Sequence, residues 1–95
     1  MIVVVREGSG PSGDADHVRD LLGPDGEVAR AWRAEPGFLG TLLLVRGERD
    51  GDERMGFVLI EMWAERAARA WSAGAELDVA GVEWRGVPRE FDAVR

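Results

Sequence analysis

Residues Gly56–Trp71, GFVLIEMWAERAARAW, pass from an extended run into a helical one with no breaker at the junction. Alternation places Phe57, Leu59, Glu61 and Trp63 on one face of a strand and Val58, Ile60 and Met62 on the other. Beyond Trp63 the period changes: Ala67, Ala70 and Trp71 recur at helical spacing, leaving Glu65, Arg66 and Arg69 for water. A strand that is apolar on both faces needs two covers. The chain's own helices supply one, and the nature of the other decides the architecture.

Upstream, Phe38–Val45 reads as a second strand of the same kind, with Phe38, Leu42 and Leu44 on one face and Leu39, Leu43 and Val45 on the other. Between the two strands, GERDGDER (Gly47–Arg54) is a charged hairpin turn with Asp50 and Gly51 at its tip; its acids lack the spacing of a calcium loop. Ile2–Glu7 is a β-branched first strand, and Gly8–Gly13, GSGPSG, is expected to leave it as a loop. That loop has neither the lysine of a Walker motif nor the GxGxxG pattern, so it is not expected to cradle phosphate. Asp14 is placed to cap a helix carrying Val18, Leu21 and Leu22. Gly23-Pro24-Asp25-Gly26 should break that helix before a second segment through Val28, Ala29, Ala31 and Trp32, which ends at Glu35-Pro36-Gly37. Ala73–Gly86 suggests an irregular or short helical return. Pro88–Arg95 reads as an edge strand with its proline at the start.

The length of 95 residues sets a single domain, 1–95, with a modest core of its own. A net charge of −6, with arginines interleaved among acids, disfavours a nucleic-acid partner. The apolar runs are strand-length and MIVVVREG has no cationic flank, so neither a membrane span nor a signal peptide is read and a cytoplasmic location is expected. Cysteine, lysine, tyrosine, asparagine and glutamine are all absent. Disulfides, thiolate nucleophiles, Schiff bases, tyrosyl acids and side-chain amides are thereby excluded from any mechanism.

The order strand, helix, strand, strand, helix, strand predicts an α+β fold, the ferredoxin-like βαββαβ arrangement with a four-stranded antiparallel sheet and both helices on one face. The opposite face, rich in large aliphatic side chains, is then expected to pair with a second copy. The predicted architecture is a dimeric α+β barrel, a homodimer joined through its sheet faces.

Glu35-Pro-Gly-Phe-Leu-Gly40, the hairpin, and Phe57-Val-Leu-Ile-Glu-Met-Trp63 before an acid- and alanine-rich helix together resemble the antibiotic biosynthesis monooxygenase group of the dimeric α+β barrel superfamily. The resemblance covers almost the whole chain. It implies a cofactor-independent oxygenase acting on a polycyclic aromatic or polyketide intermediate. Aromatic polyketide cyclases and non-catalytic dimeric binding modules of the same fold are the alternatives. Haem-degrading members use an Asn on the first strand, a Trp in the second helix and a later His. Trp71 matches the Trp, but Arg6 and Glu7 stand where the Asn would be and the place of the His falls near Gly81, so haem is not expected. In the quinone-forming members a strand Trp is matched by Trp63, an Asn is replaced by Leu59, a Tyr is missing, and a late Arg corresponds to Arg85.

Such chemistry needs no metal or flavin, because a carbanion formed from an acidic C–H itself reduces O₂; the protein supplies a base, a donor for the enolate oxygen and a dry, flat pocket. Glu61 is the carboxylate set among apolar residues on the Trp63 face and is the expected general base. The competing reading pairs it with Arg6 or Arg46 as a purely structural ion pair. Trp63 and Arg85 are the expected donors. Trp32, Phe57, Leu59, Trp71 and Trp84 are the expected walls for a planar aromatic ligand. The lone histidine, His17, is expected at the surface near the start of the first helix.

Overall fold

The computed structural model of the protein describes residues 1–11, 13, 15–46, 54–66 and 82–94. The expected cap Asp14, the hairpin tip at Asp50 and Gly51, and the helical segment with Ala67, Ala70 and Trp71 lie outside the described residues. The elements are β1 (Ile2–Pro11), α1 (Ala15–Leu22), α2 (Glu27–Trp32), β2 (Phe38–Val45), β3 (Arg54–Trp63) and β4 (Glu83–Asp92). The strands form one sheet in the order β2-β3-β1-β4, every pairing antiparallel. This is the ferredoxin-like α+β order: each crossover connects strands separated by one strand of the other unit.

The helices α1 and α2 cover one face, here called the inner face. Val18 and Leu22, one turn apart on α1, are buried against Met55, Phe57 and Leu59 of β3. Trp32, at the end of α2, packs against Trp63, Ile2 and Val4. The break between the helices falls where Pro24 and its flanking glycines place it. Arg30 Nε donates to the Asp25 carbonyl at 2.9 Å and Arg33 donates to the Pro24 carbonyl at 2.9 Å, so later arginines hold the turn rather than a capping side chain. His17 is exposed on α1, as expected.

Three expectations are corrected. First, the glycine-rich segment after Glu7 is strand through Pro11, paired with β3 as far as Pro11 opposite Arg54. An added Cβ on Gly8 would lie 2.8 Å from Phe57 Cζ and 3.0 Å from Trp84 Cε3. A glycine in this strand makes room for aromatic rings from both neighbours, which a loop assignment misses. Second, β4 begins at Glu83, so Trp84 to Val87 are strand and Pro88 is internal to it. Its register shifts between Val5 and Glu7 of β1, and Pro88 falls among the residues opposite Arg6; an edge strand with a bulge tolerates the missing donor there. Third, β2 changes register between Phe38 and Gly40, where Gly40 has φ +146°. The shift turns Phe38 to the inner face with Thr41, Leu43 and Val45, opposite Trp63, and leaves Leu39 exposed.

The alternation read from Phe57 to Trp63 holds, while the strand starts earlier, at Arg54, which was expected to belong to the charged turn. Met55, Phe57, Leu59, Glu61 and Trp63 are buried on the inner face. Val58, Ile60 and Met62 face the other way, and by register share that outer face with Val3, Val5, Leu42, Leu44 and Phe91.

Candidate functional site

The inner face of the sheet contains a polar belt between two apolar clusters. On one side lie Met55, Phe57 and Leu59 with the α1 side chains, and on the other Ile2, Val4, Trp32 and Trp63. Glu61 stands between them on β3 and is completely buried. Arg6, on the adjacent strand and diagonal to it, is also buried, and its Nε donates to Glu61 Oε2. Trp63, two residues along the same face, donates its indole N–H to Glu61 Oε1 at 3.1 Å. Each carboxylate oxygen therefore has its own donor, one charged and one neutral.

Between the two arginines offered by the sequence, the structure selects Arg6. Burying an isolated charge is prohibitive, and a buried ion pair survives when good geometry and further hydrogen bonds accompany it, as here. Trp63 is fixed on its other side by an aromatic cluster: its ring centroid is 5.9 Å from that of Trp32 and 5.0 Å from that of Phe38. The indole serves both as apolar wall and as the second donor to the carboxylate.

Thr41, the only threonine in the chain, completes the belt and was not singled out from the sequence. It is directly opposite Glu61 on β2 and 7% exposed. Its Oγ1 is buried without a hydrogen-bond partner among the described residues. A hydroxyl left in that state costs about 1 to 3 kcal/mol relative to a satisfied one. The signal available in the sequence was a lone polar residue in the apolar run FLGTLLLV, but the bulge at Leu39 hid which face it takes.

The other expected site residues divide between the two faces and the two clusters. Leu59 is fully buried beside Arg6, its register partner. Phe57 and Trp84 meet edge to face, centroids 5.4 Å apart, over Gly8 at the opposite end of the inner face from Trp63. Trp71 lies outside the described residues. Arg85 is not brought to Glu61: it pairs in register with Glu7, and so projects on the outer face. There it borders a shallow cavity of about 370 Å³ with Arg46, Glu7, Ser9, Leu44 and Val58. Among the described residues no cluster of His, Asp or Glu side chains is arranged to hold a metal ion.

The sequence of this chain is matched by a known family model. The model for antibiotic biosynthesis monooxygenases covers residues 1–80. The chain belongs to that family. No curated protein and no solved structure matches it. Members of the family are commonly dimeric, and no described helix of this chain is long and apolar enough to cross a membrane.

Proposed function

We propose that this family member is a cofactor-independent oxygenase of a polycyclic aromatic or polyketide intermediate, with the Arg6–Glu61–Trp63 belt as its reactive centre. The observation that carries the reading is a carboxylate buried among aromatic side chains with two donors on it. In the proposed reaction, Glu61 takes a proton from a methylene flanked by aryl rings and opposite a carbonyl, giving an enolate. The proton neutralises Glu61 and frees the Arg6 guanidinium and the Trp63 N–H to stabilise the enolate oxygen. The electron-rich carbon then reduces O₂ and combines with it to form a peroxide, which loses water. The methylene becomes a carbonyl, and one O₂ yields one ketone oxygen and one water.

The test uses 1,8-dihydroxyanthrone as probe, with O₂ uptake and quinone absorbance followed against the uncatalysed background. The expected result is enzyme-dependent quinone formation that stops without O₂. In the Glu61→Gln variant, checked for folding by circular dichroism, it should fall by about 10²- to 10⁴-fold. Equal rates for the two proteins would sink the assignment of Glu61. With an open poly-β-keto chain offered in place of the anthrone, product lighter by water with no O₂ uptake would assign ring closure instead.

The ion pair favours a second reading. A carboxylate already matched by a guanidinium is complete as a structural element, which fits a non-catalytic binding module. Inertness of the wild-type chain towards the probe, with ligand binding retained, would select it.

The outer face supports a homodimer as the working form. Leu42, Leu44 and Phe91 are about half exposed there, around the partly covered Val3, Val5, Val58, Ile60 and Met62. Covering each of the larger side chains contributes about 1.5 to 3 kcal/mol, enough in sum to hold two copies together.

A further inference from the structure

Thr41 occupies a position where the fold itself has no use for a hydroxyl. It sits in the middle of an apolar edge strand, its side chain on the inner face opposite Glu61, its Oγ1 buried and unpartnered among the described residues. Valine would have the same shape, suit a strand as well and remove the unsatisfied group. The neighbouring carboxylate is the natural acceptor for such a hydroxyl, yet Glu61 takes its hydrogen bonds from Arg6 and Trp63. The hydroxyl is therefore left over beside the one buried charge pair among the described residues.

We infer that Thr41 is a ligand-contacting residue, its hydroxyl donating to an oxygen of a planar keto-phenol that binds against Glu61 and Trp63. Three donors then surround the ligand's oxygens and the carboxylate: the Arg6 guanidinium, the Trp63 indole and the Thr41 hydroxyl. In the absence of ligand Arg6 Nε and the Trp63 N–H both donate to Glu61. The Thr41 hydroxyl makes no hydrogen bond among the described residues, so it meets the ligand without giving up a bond to Glu61, which gives it a role in binding rather than in proton transfer. The inference rests on the oxygenase reading for the class of ligand, but it concerns affinity and stands or falls separately.

The experiment compares wild type, Thr41→Val and Thr41→Ser in thermal unfolding and in binding of 1,8-dihydroxyanthraquinone, an unreactive planar keto-phenol, by tryptophan fluorescence quenching corrected for absorbance. Thr41→Val should melt at or above the wild-type temperature while binding the quinone about three- to tenfold more weakly. Thr41→Ser should retain wild-type affinity to within about twofold, since it keeps the donor. Equal affinity for wild type and Thr41→Val, or no quinone binding by wild type, overturns the inference. So does a Thr41→Val protein that fails to fold, since a hydroxyl required for folding must have a partner within the fold. Quinone binding that depends on Thr41, together with no O₂ uptake on 1,8-dihydroxyanthrone, removes the oxygenase reading and leaves Thr41 as a binding residue.

Discussion

The two faces of this sheet distribute polarity in opposite ways. The inner face buries an arginine, a glutamate and a threonine, while the outer face leaves Leu42, Leu44 and Phe91 about half exposed. Both arise from the same strands, often from adjacent residues: Glu61 goes in between Ile60 and Met62, which go out. Charge on the inner face is tolerable because each group has a partner at hydrogen-bonding distance. Aliphatic exposure on the outer face is tolerable where, as proposed, a second copy covers it. The lesson is that on a two-faced sheet neither hydropathy nor charge by itself identifies the inside; the helices packed over one face do.

Breaking the inner pair should have the largest effect on the isolated fold. Arg6→Met leaves Glu61 buried with an unmatched charge and should cost about 3 to 5 kcal/mol in urea unfolding. Adding Glu61→Leu to Arg6→Met should recover most of that loss, because two apolar groups need no partners. If the single and double variants were equally unstable, the belt would owe its stability to packing rather than to charge matching.

The outer face governs the association of copies rather than the isolated fold. Leu42→Asp with Leu44→Asp should convert the proposed homodimer to monomer in light scattering at micromolar concentration, with about 3 to 6 kcal/mol of association energy removed per copy. Unchanged mass would deny that this face is the interface. A wild-type chain found monomeric would deny it outright.

Glycines sharpen the contrast between the faces. Gly8 faces inward, where a methyl would push into the Phe57 ring, and Gly8→Ala should destabilise by about 1 to 3 kcal/mol. Gly56 faces outward with open space above it, and Gly56→Ala should be neutral or stabilise by about 0.5 to 1 kcal/mol. The smallest effect belongs to the exposed pair Arg89–Glu7, 2.6 Å apart on the outer face, where Glu7→Ala should change stability by less than about 1 kcal/mol. A larger loss there would mean the pair is covered in the assembled protein.

Residue alternation made β3 legible from Phe57 to Trp63, and with it the inward placement of Glu61 and Trp63. Pro24 and its glycines made the helix break legible for the same reason, since backbone chemistry acts within a few residues of its cause. Gly8–Pro11 and Trp84–Val87 were misassigned because their strand character comes from partners far along the chain. A glycine has no intrinsic preference that would announce a ring packed over it. Arg85 was joined to Glu61 by resemblance, and the register with Glu7 separates them. Thr41 was passed over because the face it takes depends on a bulge that depends in turn on Gly40.

By itself the sequence determined the strand and helix order, the two-sided apolar character of the central strands, the absence of thiol, amine and amide chemistry, and the family. Those properties are local or additive along the chain. Tertiary structure alone decided which arginine meets Glu61, which face receives Phe38, Thr41 and Arg85, and how far β1 and β4 extend. Register between strands remote in sequence is set by the packing of both faces together, and a shift of one residue exchanges every side chain between them.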